Sequence, residues 1–110
     1  MTKTELSEIL HEFCENVSDS ITDMDNQNIY PRVVYWSYMW DYITGSGAAH
    51  EDARTYQISI WGKVPPEHNP AVNGIRGALA SLGYYPTIQH EYVREDAAFH
   101  SYFSLEVIEG

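Results

Sequence analysis

Positive charge is scarce in this sequence: six Lys and Arg stand against 16 Asp and Glu, for a formal net charge of −10. The six, Lys3, Arg32, Arg54, Lys63, Arg76 and Arg94, are scattered singly. A surface that grips nucleic acid needs them clustered, so specific DNA or RNA binding is not expected. Cysteine is nearly absent too. Cys14 stands alone, which excludes an intramolecular disulfide, and it reads as a small buried hydrophobe within a helix. A nucleophilic role would require a base that the sequence does not identify. No apolar run approaches the length of a membrane span. The first residues, MTKTELSEILHEF, carry acids inside their apolar stretch and read as a helix rather than a leader, so cytosol-like conditions are expected.

What is present is a core and an excess of rings. The 110 residues suit one domain, 44% of them are hydrophobic, and 14% are aromatic. Residues 4–21 follow a helical period through Leu6, Ile9, Leu10, Phe13, Val17 and Ile21, with Thr2 and Glu5 spaced as a capping box. Glu5, Glu8, Glu12 and Glu15 fall on the opposite, solvated face. Polar residues 22–28 end this helix. Residues 30–40, YPRVVYWSYMW, then read as a strand apolar on both faces, with Pro31 at its start. Residues 41–52, DYITGSGAAHED, read as a long loop, and residues 53–61 as a second strand with Tyr56, Ile58 and Ile60 on one side.

Asn69 followed by Pro70 marks the start of a second helix, with Val72, Ile75, Leu79 and Leu82 as its stripe and Gly83 as its stop. Two closing strands, 84–93 and 97–108, turn about Glu95 and Asp96. That register sets Tyr92 opposite Phe99 and Ile88 opposite Phe103. The expected architecture is α+β: two helices on a mainly antiparallel four-stranded sheet, in the order α-β-β-α-β-β.

The residues offer little chemistry. His90 and His100 would face each other as metal ligands only in a register one residue off, which packs worse and lacks a third ligand. The helix carboxylates are solvated, whereas acid–base catalysis needs burial or close pairing. Gly45-Ser46-Gly47 lacks the lysine of a phosphate loop. Neither catalytic nor metal-binding residues are therefore assigned, and no cofactor is expected. Surface remains. Trp36, Tyr38, Trp40, Tyr42 and Trp61, with Gly45, Gly47 and His50 of the loop, are the candidate interaction residues. The alternative packs all three tryptophans beneath the helices.

Four segments together resemble the tail completion, or tail-to-head joining, proteins of long-tailed bacteriophages. They are Tyr30-Pro31-Arg32-Val33-Val34, Tyr56-Gln57-Ile58-Ser59-Ile60-Trp61, Leu82-Gly83-Tyr84, and the hairpin from Glu91-Tyr92 to Phe99-His100-Ser101-Tyr102-Phe103. They span roughly residues 28–108 in the family's order. Departures are Ser101 and Ser104, where relatives carry Lys or Arg, and Pro65-Pro66 in place of a shorter turn. The resemblance implies a protein made in the bacterial cytoplasm and placed in the tail or neck of the virion. There it would form a hexameric ring of identical copies, meeting the tail tube protein and the head connector. DNA would pass through without specific binding, and the long loop would order on assembly. A head-completion role on the other side of the neck is an alternative within that class. A small acidic inhibitor that masks a basic partner is an alternative outside it.

Overall fold

The computed structural model describes residues 1–20, 29–44 and 50–109. Its elements are α1 (Lys3–Phe13), β1 (Val17–Asp19), β2 (Arg32–Thr44), β3 (His50–Gly62), α2 (Pro70–Ser81), β4 (Gln89–Val93) and β5 (Ala98–Glu109). The strands form one five-stranded sheet in the order β1-β2-β3-β5-β4. All neighbours are antiparallel except β1 and β2, which are parallel. The four-stranded antiparallel expectation is therefore corrected to a mixed five-stranded sheet, with chain order α-β-β-β-α-β-β.

The correction begins at Cys14. The apolar stripe continues numerically to Val17, yet Cys14 is extended, with φ −152° and ψ 131°, and α1 stops at Phe13. The Asn16 carbonyl then accepts from Val33 N–H at 2.8 Å, and Ser20 N–H donates to the Tyr35 carbonyl at 2.8 Å. These bonds give residues 17–19 a strand partner, which competes with one more helical turn. Glu15 consequently lies beyond the helix, and Ile21 lies outside the described residues. The start of α1 is capped as its sequence predicts: Glu5 N–H donates to Thr2 Oγ1 at 3.2 Å. Half-exposed Lys3 also pairs with Asp19 at 2.9 Å, and this hydrogen bond holds its ammonium above the usual lysine range.

Both helices cover one face of the sheet. Leu6, Ile9 and Leu10 of α1 and Ala71, Val72, Ile75 and Leu79 of α2 are buried against it. The sheet contributes Val33 and Tyr35, then Tyr56, Ile58 and Ile60, then Phe103, Leu105 and Val107, alternate residues in each strand. Asn69 caps α2 by accepting from Ala71 N–H at 3.0 Å. The end of α2 is a Schellman motif: Tyr84 N–H reaches the Leu79 carbonyl and Gly83 N–H the Ala80 carbonyl, with Gly83 at φ 88°. No helix among the described residues is long and apolar enough to cross a membrane.

Two glycines of α2 have opposite surroundings. A Cβ on Gly74 would land on the ring of Phe13, whereas one on Gly77 would meet open space. Gly77→Ala should therefore raise stability by about 1 kcal/mol, the helix-propensity difference. Gly74→Ala should lower it by about 1–3 kcal/mol through overpacking. Urea unfolding followed by circular dichroism reads both signs.

Strands β2 and β3 have 13 residues each, whereas the helices have 11 and 12. At about 3.3 Å per strand residue against 1.5 Å per helical residue, the hairpin outruns the helices more than twofold. The expected loop at 41–52 is accordingly shorter than read: the ladder runs on through Tyr42 opposite Asp52 to Thr44 opposite His50. Backbone pairing does not require the alternation that the polar residues here obscure.

Candidate functional site

The sheet face turned away from the helices carries an ordered ladder. Arg32, Trp61, His100 and Glu91 stand opposite one another in a single row across β2, β3, β5 and β4. Trp61 stacks on His100 with centroids 4.2 Å apart and planes at 11°, and His100 stacks on Tyr102 at 4.8 Å. The Arg32 guanidinium lies 5.2 Å from the Trp61 ring centre and 4.7 Å from that of Tyr30. His100 Nδ1 meets Glu91 Oε1 at 2.9 Å, while its Nε2 is buried without a hydrogen-bond partner among the described residues. Tyr102 donates to Gln89 Oε1 at 2.9 Å.

Along β2 the surface becomes apolar and open. Trp36, Tyr38, Met39 and Trp40 are 45%, 47%, 54% and 66% exposed. A bulge between Ser37 and Met39 inserts Tyr38 as an extra residue. The Tyr38 hydroxyl reaches Ser104 Oγ at 3.1 Å, and its ring lies 6.1 Å from that of Trp36. Past the bulge, Trp40 Nε1 donates to Ser37 Oγ at 2.7 Å and the indole lies 4.2 Å from the Arg54 guanidinium. Trp40 is thus both the most exposed tryptophan and a restrained one.

The sequence reading placed these tryptophans either on a contact surface or beneath the helices. None is buried beneath the helices: Trp36 is exposed and Trp61 half-buried on the face turned away from them, whereas Trp40, opposite Arg54 in the row of Val107, is exposed on the helical side. Tyr42 and His50 occupy paired strand positions. Gly45 and Gly47 lie outside the described residues. Glu5, Glu8, Glu12 and Glu15 are exposed, the first three on α1 and the last after it. The sequence reading missed Arg32, Met39, His100 and Tyr102. Arg32 and His100 could have been found by setting the β2 and β5 strands against Trp61 in register, whereas the bulge that exposes Met39 has no signal in the sequence.

The chemistry available here is limited. His90 stands opposite Ser101 and His100 opposite Glu91, so consecutive rows send the two imidazoles to opposite faces. Among the described residues no group of three or more His, Cys, Asp or Glu could hold a metal. An open groove of about 700 Å³ beside α2 includes Arg76, Thr87 and His90. His90 Nδ1 lies 2.7 Å from Ser101 Oγ, the spacing of a nucleophile and its base. Ser101 is fully buried on the helical side of the sheet, which closes that oxygen to a substrate. Cys14 is likewise buried, its thiol donating to the Pro31 carbonyl at 3.4 Å, and burial pushes the thiol pKa up, away from the reactive thiolate.

The fold and this surface together define a two-layer α+β domain with one helix-covered face and one open aromatic face. Neither family models nor curated proteins match this sequence.

Proposed function

We propose that this chain is a non-enzymatic assembly protein that caps the tail tube of a long-tailed bacteriophage as a ring of identical copies and joins it to the head connector. The observation that carries the reading is the open aromatic stretch of β2. Trp36, Tyr38 and Met39 are exposed on the face away from the helices, and Trp40, exposed on the other side of the strand, is held in place by Ser37 and Arg54. Large restrained aromatics outside the core are the anchors that protein interfaces use. The resemblance in Tyr30–Val34, Tyr56–Trp61, Leu82–Tyr84 and Glu91–Phe103 supplies the kind of assembly. The acidic balance supplies a surface along which DNA slides without adhering.

A head-completion role would use the same surface on the other side of the neck. The net charge of −10 favours a second class of reading, an inhibitor that masks one basic partner. The two classes separate by stoichiometry.

Negative-stain microscopy of the purified chain mixed with tail tubes of its phage tests the proposal. Tubes capped at one end by a ring and arrested in length are the expected result. Bare tubes that keep growing would exclude tail completion.

A further inference from the structure

We infer that copies of this chain join head to tail, the Trp40 indole of one entering the groove along α2 of the next. The inference deepens the assembly reading and rests on it only in requiring that copies meet.

The groove is built by α2 and the segment that follows it. Gly74 turns to Phe13 of α1, and Arg76, two residues or roughly 200° further round the helix, turns the opposite way. On that flank Arg76, Gly77 and Ala80 of α2 and Tyr84, Tyr85 and Pro86 after it line an open groove of about 410 Å³. A Cβ on Gly77 would meet nothing within 4 Å, so the groove has room for a side chain from outside. Rings, a proline and a guanidinium around bare helix backbone suit a flat aromatic occupant. Tyr85 is 80% exposed, which leaves most of its ring for such a contact.

Trp40 has the features of that occupant. It is 66% exposed, and Ser37 and Arg54 already restrain its indole, so little freedom is lost on docking. It stands on β2, whereas the segment lining the groove leads into β4, towards the other end of the sheet order β1-β2-β3-β5-β4. One copy therefore carries an anchor and a groove at different places. The contact is heterologous: each copy gives one anchor and receives one, and a repeated rotation closes a ring. Pairing of β2 with β2, or of α2 with α2, would stop at a dimer.

Charge favours a second copy as the source of the ring. Chains of net charge −10 repel one another, and least where both surfaces are neutral. Residues 33–40, VVYWSYMW, and residues 77–89, GALASLGYYPTIQ, have no charged side chain, and the second run is the longest of its kind in the sequence. A basic partner would be drawn instead to Glu5, Glu8 and Glu12 of α1.

The test is sedimentation velocity over a concentration series reaching the millimolar range, with the natural chain, Trp40→Glu, Gly77→Glu and Val64→Glu. Gly77→Glu fills the groove from an exposed position, and Val64→Glu adds the same charge at an exposed apolar residue of neither surface. Circular dichroism confirms that all four fold alike. The natural chain should associate beyond a dimer, and Val64→Glu should match it. Trp40→Glu and Gly77→Glu should each associate at least about 30-fold more weakly, as loss of an interface anchor predicts. An equal mixture of those two should form dimers and nothing larger, because the groove left in one meets the anchor left in the other. A natural chain that stays monomeric or stops at a dimer overturns the assignment. So do undiminished association of either variant, equal weakening by Val64→Glu, and a mixture that fails to pair. Tube capping by the natural chain decides the assembly reading separately, and the contact can fail while that reading stands.

Discussion

Phe103→Ala is expected to lower the free energy of unfolding by about 3–5 kcal/mol. Phe103 is buried at the centre of the helical face, opposite Ile58 of β3 and in the same cluster as residues of both helices. Removing the ring deletes its apolar burial and leaves a cavity that five strands and two helices, already packed, cannot close. Domains of this size are stabilised by about 5–15 kcal/mol in all, so the loss is a large share of the total. At roughly 4–8 °C per kcal/mol the melting temperature should fall by more than about 10 °C. Thermal unfolding followed by circular dichroism measures this. A shift of a degree or two would mean that β5 does not pack under the helices.

Asn69→Ala should cost about 2 kcal/mol, more than an exposed cap usually does. The Asn69 side chain is buried, and its Oδ1 takes the N–H of Ala71, a residue with no exposed surface. Alanine leaves that donor unpaired where water does not reach it. The amide also lies against Gly62 at the end of β3, where a Cβ would strike its nitrogen. The cap therefore locks α2 to the sheet as well as starting it. Asn69→Asp keeps an acceptor and should recover most of the loss in urea unfolding. Equal destabilisation by the two variants would assign the effect to the contact with Gly62 rather than to the cap.

Asn69 also shows what the sequence made legible. Its pairing with Pro70, and the glycine at position 83, are local chemistry with one structural meaning, and α2 begins and ends there. The register of the closing hairpin was readable for a similar reason, although its first strand begins at Gln89 rather than at residue 84, so Ile88 does not pair with Phe103. Tyr92 opposite Phe99 is the register that brings ring to ring, and their centroids lie 5.0 Å apart. The first strand was not readable. Val17 fits the stripe of α1 as well as it fits a strand, and what decides is pairing with Val33, 16 positions further along. Nor was the length of the β2–β3 hairpin readable. Residues 41–44 and 50–52 pair through their backbones, while their side chains carry the polar character of a loop.

The candidate surface divides in the same manner. Trp36, Trp40 and Trp61, with several tyrosines, stood out as an excess of rings; Trp36 and Trp40 are exposed, whereas Trp61 is half-buried. The stacked row through Arg32, Trp61 and His100 depends on register across three strands, which spacing within each strand does not show. The bulge at Tyr38, which turns Trp40 over Arg54, likewise leaves no mark in the residue pattern.

The proposed role, completion of a phage tail, is tested most directly by electron microscopy of particles made by a phage that carries the gene for this chain, with that gene disrupted. Heads and tails should accumulate unjoined, with tails of irregular length, and adding the purified chain to the extract should restore joined particles. Normal virions from the disrupted phage would contradict the account.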